Sequence, residues 1–307
     1  MSAGSPSGSS WPGRPAATNA SATVCGPIAT APPAPGRGTT GWGPGRDDVR
    51  VVSWNVNSIR VRIDQVLAWA AAQGPDVVLL QETRCGDDAF PHARFEDAGY
   101  EVAHHGVDHR NGVAIASRVG LDDVRPGFTG PQREPFDEPR LLAATCGGVR
   151  VWSVYVPNGR ELWDPHYAFK LVWLERLRAE LGPDVAAGRP AMVAGDFNVA
   201  PADLDIYMPS RWRRRTHASP PERAAVTALL DLGLHDVTRD HHPEEPGVYT
   251  WWNYRPGQFE KDHGLRIDLA LCTPMVAESV TGVWVDRAAR GVARPSDHAP
   301  LVVDLEP

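Results

Sequence analysis

Short apolar runs recur from Val51 to Leu305, and most are too brief for a helix that buries one face. Residues 51–54, 76–80, 100–104, 112–117, 141–146, 149–156, 191–194, 267–272 and 301–305 read as strands, several of them apolar without alternation and so buried on both faces. Helical spacing breaks in at three places. Ile63, Val66, Leu67 and Ala70 form a stripe that Gly74-Pro75 ends. Asp164-Pro165 suits the start of a longer helix with Phe169, Val172, Trp173, Leu177 and Leu181 on its buried side, expected to stop at Gly182-Pro183. Ser219-Pro220-Pro221-Glu222 is a capping box with proline in the first turn, opening a helix expected to reach Gly233. Strands outnumber helices, in mixed order. That pattern predicts an α/β (α+β) fold, a four-layer α/β/β/α sandwich of two mixed β-sheets packed face to face with helices outside.

Before Arg50 the composition is different. Residues 1–48 are mostly Gly, Pro, Ala, Ser and Thr, with too few large apolar side chains to offset the entropy of ordering, and read as a disordered tail. Residues 49–307 read as one domain. The first ten residues lack the basic start and apolar stretch of a secretory signal, and no run approaches the roughly 20 residues of a membrane helix, so the cytoplasm is the expected location. Cys25, Cys85, Cys146 and Cys272 show neither a CxxC pair nor zinc spacing. A net charge of −7 argues against binding nucleic acid by bulk electrostatics but leaves room for a local basic groove.

Polar residues with chemical capability gather where apolar strands end. Asn55 and Asn57 follow the first strand, Gln81 and Glu82 the second, Asp196 and Asn198 the run 191–194, with Asp268 and the Asp297-His298 pair later. Each alone has a plainer reading as a turn former, a cap or a satisfied histidine. Together they offer hard oxygen ligands, amides that can orient a phosphate or water, and a carboxylate-paired imidazole, the groups that metal-assisted phosphoester hydrolysis uses.

Six ordered blocks carry a resemblance: Ser53-Trp54-Asn55-Val56-Asn57, Leu80-Gln81-Glu82-Thr83, Asn111-Gly112-Val113-Ala114-Ile115, Gly195-Asp196-Phe197-Asn198, Arg266-Ile267-Asp268 and Pro295-Ser296-Asp297-His298-Ala299-Pro300. With Asp203-Leu204-Asp205 and Thr250-Trp251-Trp252-Asn253-Tyr254-Arg255, the chain from Arg50 to Glu306 resembles the exonuclease III branch of the endonuclease/exonuclease/phosphatase superfamily. The resemblance implies Mg²⁺ or Mn²⁺ held mainly by Glu82, with Asn55 close by and Asp297 reaching it directly or through water. Asp196, Asn198 and His298 complete the wider ligand set. It further implies that Asp196 positions or deprotonates the attacking water, with Tyr155 as the rival base. Asn198 orients that water or a phosphate oxygen, and His298, its tautomer fixed by Asp268, stabilises the phosphorane. Arg140 and Asn158 match positions near the scissile phosphate, Lys170 matches less clearly, and Trp251 lies where the family contacts the damaged or terminal nucleotide. Arg211, Arg213, Arg214 and Arg215 form a basic run that the resemblance places beside the DNA backbone, with Arg213 and Arg214 the preferred contacts.

The implied activity is that of a monomeric DNA repair nuclease acting on double-stranded DNA: 3′ to 5′ digestion, incision 5′ of abasic sites, and cleaning of 3′ ends. A phosphoesterase of the same superfamily would share Glu82, Asp196, Asn198 and His298. It would have no evident use for the arginine run or the Trp251 block. A catalytically dead nucleic-acid-binding module should have lost a ligand, and none is missing.

Overall fold

The computed structural model describes residues 48–130 and 135–306. All but the last residue of the glycine- and proline-rich segment 1–48 lies outside them, as does Cys25. In chain order the strands are β1 (Val49–Asn55), β2 (Val77–Gln81), β3 (Glu101–His105), β4 (Val113–Ser117), β5 (Asp122–Pro126), β6 (Leu141–Cys146), β7 (Val149–Tyr155), β8 (Ala191–Asp196), β9 (His235–Asp236), β10 (Trp251–Trp252), β11 (Gly264–Leu265), β12 (Asp268–Cys272), β13 (Val280–Val285) and β14 (Leu301–Leu305). The α-helices are α1 (Ile59–Gln73), α2 (His92–Asp97), α3 (Pro165–Ala186), α4 (Pro209–Trp212), α5 (Pro220–Leu230), α6 (Val237–His241) and α7 (Pro274–Glu278). None of these helices is long and apolar enough to cross a membrane.

Two six-stranded sheets result, in the orders β13-β14-β1-β2-β4-β3 and β5-β6-β7-β8-β12-β9, and β10-β11 is a separate ribbon. The period of two along each strand sorts its side chains between two cores. Val51, Leu79 and Ile115 of the first sheet meet Val151, Met192 and Ala270 of the second in a core between the sheets. The alternate residues Trp54, Leu80 and Ala114 face outward against Ile59 and Val66 of α1. Trp152, Val193 and Leu269 face outward against Trp173, Leu177 and Leu181 of α3 and Val226 of α5. These are the four layers expected from the sequence.

Each sheet has a parallel pair at its heart. β1 runs beside β2 with α1 as crossover, and β7 runs beside β8 with α3 as crossover. Parallel strands carry their carboxyl ends to one edge, where loops gather polar residues. Buried hydrogen bonds link the sheets just below that edge. Gln81 donates to Ser153 Oγ at 3.0 Å, and the Ser153 hydroxyl donates to the Leu80 carbonyl at 3.0 Å.

Two helix ends differ from expectation. Helix α3 begins as read, with Asp164 accepting from the His166 amide, but it passes through Gly182-Pro183 to Ala186. A proline clashes with the Cβ of a helical residue before it, and Gly182 has none. Helix α5 ends at Leu230, and its chain leaves through a turn to Gly233 (φ 105°). The apolar runs do not mark β5, β13 or the two-residue strands β9, β10 and β11. β5 is exposed along its whole length and closes on Pro126, an edge strand without an apolar signal, while a register shift near Gly282 breaks the alternation of β13.

Gly195 fixes the approach of β7 to β8 one residue before Asp196. It pairs with Val154, and a Cβ there would lie 2.0 Å from the Val154 carbonyl oxygen. Gly195→Ala is expected to cost about 1–3 kcal/mol or more by forcing the strands apart. A urea unfolding midpoint equal to that of the parent protein would contradict this register.

Candidate active site

Strand ends and the loops after them bring the residues together. Asn55 closes β1, Glu82 follows β2, Tyr155 closes β7, Asp196 closes β8 and Asp268 opens β12. The loop before β14 supplies Asp297 and His298, and it is zipped to the Trp251 loop. Trp252 N–H donates to the Asp297 carbonyl at 3.0 Å, and Ala299 N–H to that of Thr250 at 2.8 Å. The Ser296 hydroxyl donates to the Asn55 carbonyl at 2.6 Å, tying this loop to β1.

At the centre stands Asn55, fully buried. Its Nδ2 donates to Glu82 Oε1 at 2.9 Å and to Asp196 Oδ2 at 3.0 Å, so one neutral amide bridges carboxylates from different sheets. The orientation is set from behind, because Asn55 Oδ1 accepts from the Asn57 amide at 3.0 Å. The nitrogen of Asn55, rather than its oxygen, therefore faces the acids. Arg84 holds the other Glu82 oxygen through Nε at 2.8 Å. Glu82 (φ 51°) and Asn198 (φ 53°) both have left-handed backbone, which costs a non-glycine residue about 1–2 kcal/mol. Such strain persists only where surrounding contacts impose it.

Asp196 accepts from the Asn198 amide at 2.8 Å, and His298 Nε2 lies 3.7 Å away. Asp268 Oδ2 lies 2.8 Å from His298 Nδ1, and Asp268 Oδ1 is buried without a partner. Burial pushes the Asp196 carboxyl up to about 7, opposed by His298 and reinforced by Asp268 and Glu82. Burial works against a charged His298, but Asp268 and Asp196 outweigh it and hold the imidazole up at about 10. An imidazolium has no lone pair for a metal. Asp196, Asp268 and His298 do place ligand atoms within 4.8 Å of one another, yet on this ground the cation suits the Glu82 side of Asp196 better. There, the carboxylates of Glu82 and Asp196 converge from the two sheets as hard oxygen donors that suit a divalent ion.

Asp297 accepts from Asn57 Nδ2 at 3.0 Å through one oxygen and from Trp251 Nε1 at 3.0 Å through the other. Each carboxylate oxygen keeps a further lone pair, so Asp297 can still reach an ion through water. Asn198 donates to the Val156 carbonyl at 3.0 Å and accepts from Asn158 Nδ2 at 3.0 Å. Arg140 packs its guanidinium 4.7 Å from the centroid of the Tyr155 ring. Burial and the negative charge of Glu82 raise the Tyr155 phenol well above its usual value, against the pull of Arg140. Lys170 is fully buried, paired with Glu222 at 2.5 Å and donating to the Asn198 carbonyl at 2.7 Å. Arg211, Arg213, Arg214 and Arg215 are exposed, and none forms an ion pair with a described residue. They adjoin the site through Trp212, whose ring leans on His217, which in turn leans on Trp251.

Arg84 and His217 were not singled out from the sequence. His217 is buried, has φ 78°, and sets Nδ1 2.6 Å from the Asn198 carbonyl oxygen. Nothing in its sequence neighbourhood signals that contact. Arg84 could have been noticed as the one cation within two residues of Glu82 on its C-terminal side.

The Endonuclease/Exonuclease/phosphatase family model matches residues 52–298. Exodeoxyribonuclease III of Haemophilus influenzae is 32% identical over 269 residues, spanning 84% of this chain and 100% of that protein. An AP endonuclease from Archaeoglobus fulgidus is 39% identical, with a TM-score of 0.80 over 83% of this chain and 98% of that one. The 3′ phosphatase NExo from Neisseria, solved with a product DNA hairpin, is 39% identical, with a TM-score of 0.81 over 84% and 99%. With the motif blocks in order and the same fold beneath them, the chain belongs to the endonuclease/exonuclease/phosphatase family, in its exonuclease III branch.

Proposed function

We propose that this chain is a DNA repair nuclease that hydrolyses phosphodiesters in double-stranded DNA, digesting from 3′ ends, incising 5′ of abasic sites and clearing blocked 3′ termini. Mg²⁺ is the proposed cofactor, with Mn²⁺ an alternative of similar ligand preference. The observation that carries the reading is the continuous polar row Glu82–Asn55–Asp196–His298–Asp268 across the carboxyl edge of both sheets.

Glu82, with Asp297 beside it, would hold the cation. Asn55, whose Nδ2 faces the acids and has no free lone pair, would orient Glu82 and Asp196 rather than ligate as expected from the sequence. A bound divalent ion would neutralise charge building on the phosphate oxygens. Asp196 takes the proton of the attacking water, since its carboxyl sits near neutrality and is fixed by the Asn198 amide. Tyr155 is the poorer base. Its phenol is held protonated, which suits donation to a phosphate oxygen. His298 keeps its proton and presents Nε2 beside Asp196, where negative charge appears in the pentavalent phosphorane, while Asp268 sets the ring orientation. Arg140 and Asn158 lie next to Tyr155 and Asn198 and are assigned to phosphate binding. Trp251 is assigned to the nucleotide next to the cleaved bond, and a face contact there would contribute about 1–3 kcal/mol. The exposed arginine run, without an ion pair among the described residues, favours a polyanion over a small phosphoester, which supports DNA over a soluble phosphate.

An end-labelled duplex with one central abasic-site analogue tests the whole reading. Incision 5′ to the lesion and laddering from the 3′ end should both require a divalent cation and disappear in Glu82→Ala; phosphate release from soluble esters without any DNA cleavage would overturn it. Asp196→Asn should lower kcat by about 10²–10⁴-fold, whereas Tyr155→Phe should lose less. The reverse order would make Tyr155 the base. Replacing Arg213 and Arg214 with alanine should weaken DNA binding on all sequences and flatten the dependence of log K on log salt by about 1–2 units. An unchanged slope would remove both arginines from the interface.

A further inference from the structure

Glu82 owes its place to a turn that its own sequence does not favour. Glu82 (φ 51°) and Arg84 (φ 53°) both have left-handed backbone, with Thr83 buried between them. Main-chain bonds hold the turn from two sides: Ser58 N–H to the Glu82 carbonyl at 2.7 Å, and Thr83 N–H to that of Gly112 at 3.1 Å. The Thr83 hydroxyl reaches in a third direction, to His104 Nε2 at 2.8 Å. The His104 side chain is wholly buried and stacked on Phe90, with ring centroids 4.2 Å apart. Its Nδ1 lies 2.8 Å from Asp87 Oδ1, not aligned as a hydrogen bond, and burial holds the imidazole down at about 4, so the ring is neutral. Asp87 Oδ1 is anchored in turn by the Gly106 amide at 2.8 Å.

The surrounding backbone makes room for this arrangement. A Cβ on Gly112, which has φ 92°, would lie 2.1 Å from the Thr83 hydroxyl oxygen. One on Gly106 would lie 2.4 Å from His104 Cε1. With the Thr83 hydroxyl donating, His104 Nε2 is the acceptor and the ring proton sits on Nδ1, on the side of Asp87. Asn55 and Arg84 hold the Glu82 carboxylate itself, and the Thr83 side chain helps to hold the backbone that carries it.

We propose that Thr83 and the buried His104, backed by the solvent-exposed Asp87, form a strut that holds the Glu82 turn, making His104 a positioning residue for divalent-cation binding. His104 touches neither the cation site nor the DNA-facing residues, and it acts through Thr83. Groups that orient ligand-bearing side chains commonly set metal affinity by about 10–100-fold. The inference rests on the assignment of Glu82 as the main cation ligand.

The test is Mn²⁺ binding to the whole chain without DNA, followed by titration calorimetry, beside DNA binding in chelator. His104→Ala should weaken Mn²⁺ binding by about 10-fold or more and leave chelator-stage DNA affinity unchanged. Thr83→Val, which keeps the shape and removes the hydroxyl, should weaken it comparably. His104→Gln, whose amide oxygen can accept from Thr83, should recover most of the affinity. A strut that mattered only for stability would lower the unfolding midpoint without moving the Mn²⁺ affinity of the folded protein. If Glu82→Ala loses Mn²⁺ while both His104→Ala and Thr83→Val keep parental affinity, the strut proposal is overturned and the cation assignment stands. If Glu82→Ala itself binds Mn²⁺ as the parent does, the assignment falls and the proposal falls with it.

Discussion

One side-chain amide organises this site. Asn55 Nδ2 stands between Glu82 and Asp196, carboxylates delivered by different sheets, and donates to both. Two acids so placed, Asp196 buried and Glu82 partly so, would repel, and a single neutral donor can hold them only if the layers beneath are rigid. The inter-sheet core of Val51, Leu79, Met192 and Ala194 supplies that rigidity, and the Gln81–Ser153 bond fixes the sheets just under the site. Asn55 is itself fixed, through the Asn57 amide on its side-chain oxygen and the Ser296 hydroxyl on its carbonyl. The fold acts here as a vice, and the chemistry follows from what it forces together.

Electrostatics then divides the acids by role. Asp268 stays close to His298 and keeps the imidazole charged, so that pair serves as a fixed positive group. Asp196 lies between this pair and Glu82, and burial brings its carboxyl near neutrality. Burial and its neighbours thus set Asp196 apart as a base near neutrality and keep His298 as a charge stabiliser, which is how a small site separates the two roles. Asp297, engaged by Asn57 and Trp251, connects the cation side to the nucleotide-facing loop.

Much of this was legible before any coordinates. Apolar runs marked the central strands because β1, β2, β8 and β12 are buried on both faces, and the polar residues at their ends announced where a site would form. Edge strands were less legible, since β5 meets solvent along its length and β13 is bulged at Gly282. The end of α3 was misplaced because Gly-Pro normally stops a helix, whereas here the missing Cβ of Gly182 lets it continue. Contacts between distant segments were hardest. The direction of the Asn55 amide, the stacking of His217 beside Trp251, and the line from Asp87 through His104 to Thr83 depend on loops whose neighbours in space are far apart in the chain. No local pattern encodes such meetings.

The account stands most directly on where the cation binds. Anomalous diffraction from a crystal of this chain soaked in Mn²⁺ would locate it without reference to activity. The expected result is a peak against Glu82, on the Asn55 side of Asp196, with His298 still paired to Asp268. A peak instead within the Asp196, Asp268 and His298 group, with His298 turned from Asp268 to ligate it, would contradict the division of roles argued above.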